Sequence, residues 1–149
     1  MATIQLPQDF REFLQLLDSK GVEYLIVGGY AVTYHGYPRA TGDLDVWVAV
    51  DSGNAERIVE AIREFGFDVP DLSSDLFLEE DRVIRMGEPP VRIEILTNIS
   101  GVEFRESFES REVADVDGLP IPFIGLEHLK VNKAAAGRYQ DLSDLEHLP

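Results

Sequence analysis

The chain is 149 residues long, with 28 acidic and 13 basic residues and a formal net charge of −15. This charge balance disfavours broad, nonspecific binding to nucleic acid, which depends on clustered lysine and arginine, although it leaves room for a local basic patch. No cysteine is present, which excludes disulfides and cysteine-based zinc sites. The hydrophobic content of 44% is typical of a folded globular protein.

The length favours one domain over residues 1–149. The N-terminus lacks the pattern of a signal peptide, and no apolar run approaches the roughly 20 residues that a membrane-spanning helix needs. We therefore expect a soluble, cytoplasmic protein with no membrane partner.

The first predicted element is a helix over residues 7–20. Pro7 and Asp9 suit its opening turn, and Gly21 stands just past its end. Its apolar residues follow the spacing of one helical face and should pack on a sheet; they are Phe10, Phe13, Leu14 and Leu17.

The next stretch carries the strongest functional signal. An apolar run, residues 22–27, predicts a strand that ends at Gly28 and Gly29, after which helical spacing begins. A second strand begins at Asp43 and alternates, so that Asp43 and Asp45 lie on the same face. Two carboxylates therefore project side by side, a short distance along the chain from a glycine turn.

These two features have a shared chemical use. Carboxylates two residues apart on a strand lie roughly 6–7 Å apart along it. That is near enough to share a hard cation such as Mg2+, which takes oxygen ligands. The glycines lack a Cβ, so a phosphate chain can approach the backbone, and the helix that begins there favours an anion. The pattern indicates a nucleoside triphosphate bound as its magnesium complex.

Later segments complete the predicted sheet. A second helix covers residues 52–65, and strands follow at 82–86 and 91–96, joined by a turn-like Gly-Glu-Pro-Pro sequence. A hairpin turn at 117–118 leads into a strand over 119–122. Because this last strand contains two prolines, we expect it at an edge of the sheet.

One acid on the strand over 91–96 calls for an explanation. Glu94 stands in an otherwise apolar context and shares a face with Arg92. It is either a functional carboxylate or a surface residue paired with Arg92 or Arg82.

The C-terminal stretch predicts two helices. The first covers residues 126–136, ends at Gly137, and carries Lys130 and Lys133, two of only three lysines in the chain. The short helix that follows carries three charged residues, Arg138, Asp141 and Asp144. Its leucines should face inward; they are Leu142, Leu145 and Leu148. The lysines are plausible phosphate partners, and the alternative is ion pairing among these charged residues on an exposed helix.

The central motif resembles a known signature. Gly28-Gly29, thirteen residues that include Arg39 and Thr41, and then Asp43-Leu44-Asp45 resemble the DNA polymerase β-like nucleotidyltransferase superfamily. More narrowly, GGYAVTYHGYPRATGDLDVWV is similar to the minimal bacterial nucleotidyltransferases grouped with AbiEii-type toxins of toxin–antitoxin systems. The resemblance implies an α/β (α+β) nucleotidyltransferase fold, a small mixed β-sheet flanked by helices. One departure is the glycine pair itself, because many members of the superfamily have Gly-Ser there and so possess a hydroxyl that could bind phosphate.

The resemblance also implies roles for individual residues. Glu94 stands where the superfamily places a third carboxylate, although many relatives have aspartate there. The implied catalytic and metal-binding acids are Asp43, Asp45 and Glu94, holding two Mg2+ or Mn2+ ions, and Glu94 could accept the proton of the attacking hydroxyl. The implied nucleotide-binding residues are Gly28, Gly29, Arg39, Thr41, Lys130 and Lys133. The run from Lys133 to Asp144 resembles a C-terminal motif in which the lysine contacts the triphosphate and an aspartate orients it.

We therefore predict a nucleotidyltransferase that transfers a nucleoside monophosphate from an NTP to a hydroxyl acceptor by a two-metal mechanism. The resemblance leaves the acceptor open among an RNA end such as tRNA, a protein hydroxyl and a small molecule such as an antibiotic. It also implies a role as the toxin of a pair, with a cognate antitoxin protein as partner. The alternatives are a nucleotide-binding module without catalysis and a protein-interaction module whose acidic face meets a basic protein.

Overall fold

The computed structural model describes residues 4–149. Within this range the strands are β1 (Tyr24–Val27), β2 (Leu44–Val48), β3 (Val83–Glu88), β4 (Val91–Leu96), β5 (Glu112–Val116) and β6 (Leu119–Phe123). The helices are α1 (Gln8–Ser19), α2 (Gly28–Tyr34), α3 (Ser52–Phe65), α4 (Phe104–Glu109), α5 (Leu126–Ala136) and α6 (Tyr139–His147), and a short 3-10 helix spans Ser74–Phe77. Among residues 4–149, no helix combines the length and the apolar character needed to cross a membrane.

The strands form one mixed sheet. Their order is β3-β4-β2-β1-β6-β5. The central strand β2 pairs antiparallel with β1 on one side and parallel with β4 on the other. The predicted fold class, a small mixed sheet flanked by helices, is confirmed.

Helices α1 and α3 pack against each other and bury one face of the sheet. The apolar residues predicted for the inner face of α1 are all buried; they are Phe10, Phe13, Leu14 and Leu17. Helix α3 has the predicted bounds, and Asp51 caps it by accepting a hydrogen bond from the backbone N–H of Asn54 (2.8 Å). Each fully buried Phe or Leu side chain contributes about 1.5–3 kcal/mol to folding, so this layer stabilises the sheet from one side, and the charged groups of the site lie on its opposite face.

The expectation that the proline-containing strand lies at an edge is wrong. β6 lies between β1 and β5, and β5 forms the edge. Proline cannot donate a backbone hydrogen bond, but the pairing with β1 begins past both prolines. Ile26 is in register with Phe123, and the N–H of Ile124 donates to the carbonyl of Ile26 (3.1 Å). β1 therefore requires no donor from Pro120 or Pro122.

Helix α6 is rotated relative to its sequence prediction. The prediction that Leu142 faces inward is wrong, because its side chain is 46% exposed, although Leu148 is buried as expected. The inward face carries Asp141 and Asp144 instead, which are 1% and 0% exposed. Carboxylates in a protein interior need cationic partners, and the partners described below account for the orientation of this helix.

Candidate active site

Asp45 and Glu94 lie side by side in the middle of the sheet. The parallel pairing of β2 with β4 puts the two residues in register, and residues in register share a face. Asp43 lies one residue before β2, on the same face as Asp45. All three side chains are partly exposed. The structure thus brings the three predicted catalytic acids together at the beginning of β2.

Two arginines of the β3–β4 hairpin contact these carboxylates. Arg92 donates to Asp43 Oδ2 through Nη2 (2.8 Å) and Nε (3.3 Å), and its Nη2 lies 3.5 Å from Glu94 Oε1. Arg85 stands directly opposite Glu94 in the antiparallel pair and donates through Nε to Oε1 (3.2 Å). Of the two pairings considered as an alternative for Glu94, the one with Arg92 is present, whereas Arg82 is engaged by another glutamate.

Asp43 and Asp45 titrate differently because their surroundings differ. Burial, reinforced by the negative charges of Glu94 and Asp43, raises the pKa of Asp45 to about 7. Lys133 lowers the pKa of Asp45, so its charge lies within electrostatic reach of this carboxyl. A hydrogen bond from Arg92 holds the pKa of Asp43 below its ordinary value. Near neutral pH, the protonated and ionised forms of Asp45 are therefore both populated, because burial and the neighbouring carboxylates both oppose its charge.

The glycine pair packs tightly against the same site. Gly28 has a φ of +67°, a backbone conformation that favours glycine. A Cβ on Gly28 would lie 2.0 Å from Asp45 Oδ2, and one on Gly29 would lie 2.0 Å from Thr41 Oγ1. The groups that approach the glycine backbone in this structure are thus the protein's own carboxyl and hydroxyl. Gly28, Gly29, Thr41 and Asp45 form one contiguous corner of the site.

A buried ion network joins α5 and α6 to the loop before β2. Lys133 Nζ lies 3.2 Å from Asp141 Oδ1 and 3.0 Å from Asp144 Oδ2, and its side chain is 5% exposed. Asp144 also accepts two hydrogen bonds from Arg39, from Nε to Oδ1 (2.7 Å) and from Nη2 to Oδ2 (2.8 Å). Arg39 Nη1 lies 3.4 Å from where a Cβ on Gly29 would be. The network therefore reaches from α5 to the glycine pair.

Arg138 lies at the start of α6, on the outer side of this network. Its Nε donates to Asp141 Oδ2 (2.7 Å), and the backbone N–H of Arg138 donates to the same oxygen (3.1 Å). The hydrogen bond to Asp141 raises the pKa of Arg138, and the charges of Asp45 and Glu94 act in the same direction. Arg138 is therefore within electrostatic reach of the carboxylates on the sheet.

The two lysines predicted to bind nucleotide have different surroundings. Lys130 is 31% exposed and lies 4.0 Å from Glu127, so the alternative of ion pairing on an exposed helix describes it well. Lys133 is buried, and its ion pairs are internal. Burial opposes ionisation of Asp144, but hydrogen bonds from Arg39 and Lys133 outweigh it and hold the pKa of Asp144 below its ordinary value.

The site is electrically neutral within a strongly acidic chain. It contains five carboxylates and five basic side chains, namely Asp43, Asp45, Glu94, Asp141 and Asp144 with Arg39, Arg85, Arg92, Lys133 and Arg138. Their formal charges cancel, whereas the whole chain carries −15. The site holds five of the 13 basic residues of the chain, so it repels an anionic ligand less than the rest of this acidic protein does.

Asp43, Asp45 and Glu94 have the donor chemistry of a divalent-cation site. Mg2+ and Mn2+ take carboxylate oxygens. Burial, and after it the charges of Glu94 and Asp43, raises the pKa of Asp45, and a bound cation would oppose both effects. Among residues 4–149, no group of three or more histidine, aspartate or glutamate side chains is already arranged to hold an ion. Asp43 and Glu94 face Arg92 instead. The residues fit a divalent cation chemically, and such an ion would compete with Arg92 for the same oxygens.

The sequence patterns missed Arg85 as a residue of the site. Hairpin register could have predicted it, because a two-residue connection between β3 and β4 places Arg85 opposite Glu94. The bidentate contact of Arg39 with Asp144 had no such signal, since 105 residues separate the two.

Comparisons with solved structures identify the class of fold. The chain is similar to a protein described as a nucleotidyltransferase from Thermotoga maritima, with 16% identity, coverage of 92% of this chain and 88% of that one, and a TM-score of 0.63. It is similar to the lincosamide antibiotic adenylyltransferase LnuA in its lincomycin-bound form (14% identity, 98% and 96% coverage, TM-score 0.61). A third similar structure is an antigenic nucleotidyltransferase-like protein from Paracoccidioides brasiliensis (16% identity, 93% and 73% coverage, TM-score 0.55). This is the nucleotidyltransferase fold.

A family model defines the chain more closely. The family described as "nucleotidyl transferase of unknown function (DUF2204)" matches residues 7–149, so the chain belongs to that family. This confirms the predicted nucleotidyltransferase class and indicates a nucleotide substrate. A comparison with curated protein sequences finds no match.

Proposed function

We propose that this protein is a divalent-metal-dependent nucleotidyltransferase that moves a nucleoside monophosphate from an NTP to an acceptor hydroxyl. The observation that carries the proposal is the register of Asp45 with Glu94, which places two acids together beside Asp43 and against the glycine pair. The arginines of the β3–β4 hairpin compensate Asp43 and Glu94, whereas among residues 4–149 no basic side chain pairs with Asp45, whose pKa is raised to about 7 by burial and by its acidic neighbours. A role in binding a cation and a nucleotide explains why the acids are gathered here.

In this proposal the three acids bind the metal ions, and Glu94 has a second role as the base. Asp43, Asp45 and Glu94 hold Mg2+ or Mn2+, and bound divalent ions supply positive charge that stabilises the reacting triphosphate. Asp45 must lose its proton to act as a ligand, and its pKa of about 7 makes this possible near neutral pH. Glu94 accepts the proton of the acceptor hydroxyl.

Arg39 and Lys133 orient the triphosphate beside the corner formed by the glycine pair, Thr41 and Asp45. Asp144 holds both cations by charge-assisted hydrogen bonds. A lysine ammonium has three N–H donors and an arginine has five, so each keeps donors for phosphate beyond its carboxylate contacts. Because their positions are already held, less conformational freedom is lost when the triphosphate binds.

The charge balance supports the same assignment. The site alone is formally neutral. An NTP carries about −4, and two divalent cations carry about +4. Loading the site with nucleotide and ions together therefore leaves it neutral, whereas nucleotide alone would not.

The finer proposal, a toxin of the AbiEii type, rests on the resemblance of residues 28–48. Such a toxin should arrest the growth of cells that express it, through an activity that depends on Asp45. Co-purification of a small partner protein that relieves the arrest supports a toxin–antitoxin pair. Growth arrest that persists in an Asp45→Asn variant contradicts an enzymatic toxin.

The proposed function is tested by transfer of label. The protein is incubated with each α-labelled NTP, with Mg2+ or Mn2+, and with total RNA or total protein as acceptor. Asp45→Asn removes the charge while preserving the shape, and Asp68→Asn is the matched control because the Asp68 side chain is 71% exposed in the connection after α3. We expect transfer by the wild type and the control and none by Asp45→Asn. Nucleotide binding without transfer by any form indicates the non-catalytic module.

A further inference from the structure

Arg85 and Arg92 lie on the side of the carboxylates away from the glycine pair. In the sheet, β4 and β3 flank β2 on one side, and β1, which leads into Gly28, flanks it on the other. Arg85 and Arg92 share the face of Glu94, since they lie opposite it and two residues before it. Arg39 and Lys133, by contrast, belong to the network that reaches Gly29. The carboxylates therefore lie between two pairs of basic side chains, Arg85 with Arg92 on one side and Arg39 with Lys133 on the other.

Both hairpin arginines keep unused hydrogen-bond donors. Arg85 uses Nε and Arg92 uses Nε and Nη2 in their contacts with Asp43 and Glu94. Within residues 4–149, the remaining guanidinium N–H groups of both have no hydrogen-bond partner, and the side chains are 56% and 32% exposed. Two guanidinium groups that contact the same carboxylate, on partly exposed side chains and with free donors, suit a phosphate, which accepts paired N–H bonds.

The geometry of nucleotidyl transfer assigns this side to the acceptor. The attacking and leaving oxygens lie roughly in line on opposite sides of the phosphorus. If the triphosphate lies against Gly29, Arg39 and Lys133, pyrophosphate leaves on that side. The acceptor hydroxyl then approaches from the side of β3 and β4, past Arg85 and Arg92.

We infer that the acceptor carries a phosphate group next to its reacting hydroxyl, and that Arg85 and Arg92 bind this phosphate. The inference rests on the proposed function and specifies its acceptor. The hydroxyl oxygen forms a bond to the α-phosphorus, the bond from that phosphorus to the pyrophosphate oxygen breaks, and Glu94 takes the hydroxyl proton. A chain with a net charge of −15 repels a long polyanion beyond the contacts that two arginines provide. Binding therefore depends on one or two phosphates, whether they belong to a nucleic-acid end or to a phosphorylated small molecule.

Binding measurements separate these sources. Calorimetric titrations use uridine, the dinucleotide UpU, a uridine decamer, glycerol and glycerol 3-phosphate as probes. We expect UpU to bind more tightly than uridine, and the decamer to gain little over UpU. Glycerol 3-phosphate binding as tightly as UpU assigns the site to phosphorylated small molecules, and UpU binding more tightly assigns it to a nucleic-acid end. Uridine or glycerol binding as tightly as its phosphorylated counterpart overturns the inference.

Variants tie the binding to the two arginines. Arg85→Gln and Arg92→Gln should each lower the affinity for the phosphate-bearing probe by about tenfold, which is the typical effect of losing a charge-assisted hydrogen bond. Arg82→Gln is the matched control, because Arg82 is a half-exposed, ion-paired arginine of the same hairpin outside the site. Thermal unfolding verifies that all three variants remain folded. Equal binding by the wild type and both site variants overturns the inference.

The same titrations distinguish failure of this inference from failure of the proposed function. Asp45→Asn should bind the phosphate-bearing probe and transfer nothing. Arginine-dependent binding in a wild type that transfers no nucleotide rejects the enzyme and retains the phosphate site. Transfer to an uncharged acceptor that is insensitive to Arg85→Gln and Arg92→Gln retains the enzyme and rejects the phosphate site.

Discussion

Asp45 occupies the space that a side chain on Gly28 would need. A Cβ at Gly28 would lie 2.0 Å from Asp45 Oδ2, and the φ of +67° at this residue is one that L-amino acids rarely adopt. Asp45 can therefore take this position only because residue 28, in the turn between β1 and α2, has no side chain.

Gly28→Ala should abolish nucleotidyl transfer and destabilise the fold. The left-handed conformation alone costs about 1–2 kcal/mol for a residue with a Cβ, and the clash adds displacement of Asp45. Gly21→Ala is the matched control, because Gly21 has a φ of +69° and no atom within 4 Å of its would-be Cβ. Urea unfolding should show a loss of about 1–2 kcal/mol for Gly21→Ala and a larger loss for Gly28→Ala, and only Gly28→Ala should lose transfer. Normal transfer by a folded Gly28→Ala variant contradicts the close packing described here.

Asp45 should make the metal-free protein less stable as the pH rises. Its pKa is raised in the folded state from 3.8 to about 7, so between these values the folded state binds more protons than the unfolded state. The stabilisation from this group is therefore present at low pH and lost as the pH rises through about 7. The amide of Asp45→Asn stays neutral, so its free energy of unfolding relative to the wild type should increase between about pH 4 and pH 7 and then level off. A difference that stays constant over this range contradicts the raised pKa.

Divalent cations should bind at the three acids and bind better above neutral pH. Mn2+ affinity, measured by electron paramagnetic resonance, should fall by about tenfold or more in Asp45→Asn and Glu94→Gln, because each removes a carboxylate ligand. It should rise through about pH 7 as Asp45 loses its proton. Glu88→Gln, an exposed acid on the same hairpin, should leave it unchanged. Equal affinities in all variants would place the ion elsewhere.

Lys133 and Lys130 should differ sharply in their contribution to stability. Lys133→Ala removes the cation that Asp141 and Asp144 share but leaves them paired with Arg138 and Arg39, so it should cost about 1.5–3 kcal/mol, the typical value of a hydrogen bond to a charged group. Lys130 is partly exposed and lies 4.0 Å from Glu127, so Lys130→Ala should cost less than about 1 kcal/mol. Chemical unfolding of the two variants checks this, and adding Asp144→Asn to Lys133→Ala should restore part of the loss. Similar costs for the two lysines would contradict the buried network.

Local patterns predicted most of the fold because local physics determines it. The period of α1, the bounds of α3 and the glycine after α5 follow from helical spacing and capping within single segments. The alternation of β2 likewise places Asp43 and Asp45 on one face. A helix or strand that satisfies its own pattern needs little information from the rest of the chain.

The failures came from contacts made across the chain. Leu142 does not lie on the inward face of α6, because Asp141 and Asp144 occupy that face and pair with Lys133 of α5. The position of β6 inside the sheet, next to the edge strand, depends on its pairing with Ile26, which no local pattern encodes. The ion pair between Arg39 and Asp144 likewise joins residues that are far apart in the sequence. Sequence periodicity predicts the structure of a single segment. The orientation of α6, the position of β6 and the Arg39–Asp144 pair depend instead on contacts between segments that are distant in the sequence.

The central claim is most directly tested by comparing α-labelled with γ-labelled NTP as donor for the wild type and Asp45→Asn. The proposed site predicts that the α-label becomes covalently attached to the acceptor, that the γ-label is released as pyrophosphate, and that Asp45→Asn does neither while remaining folded. Attachment of the γ-label to the acceptor, or transfer of the α-label by Asp45→Asn at the wild-type rate, would contradict it.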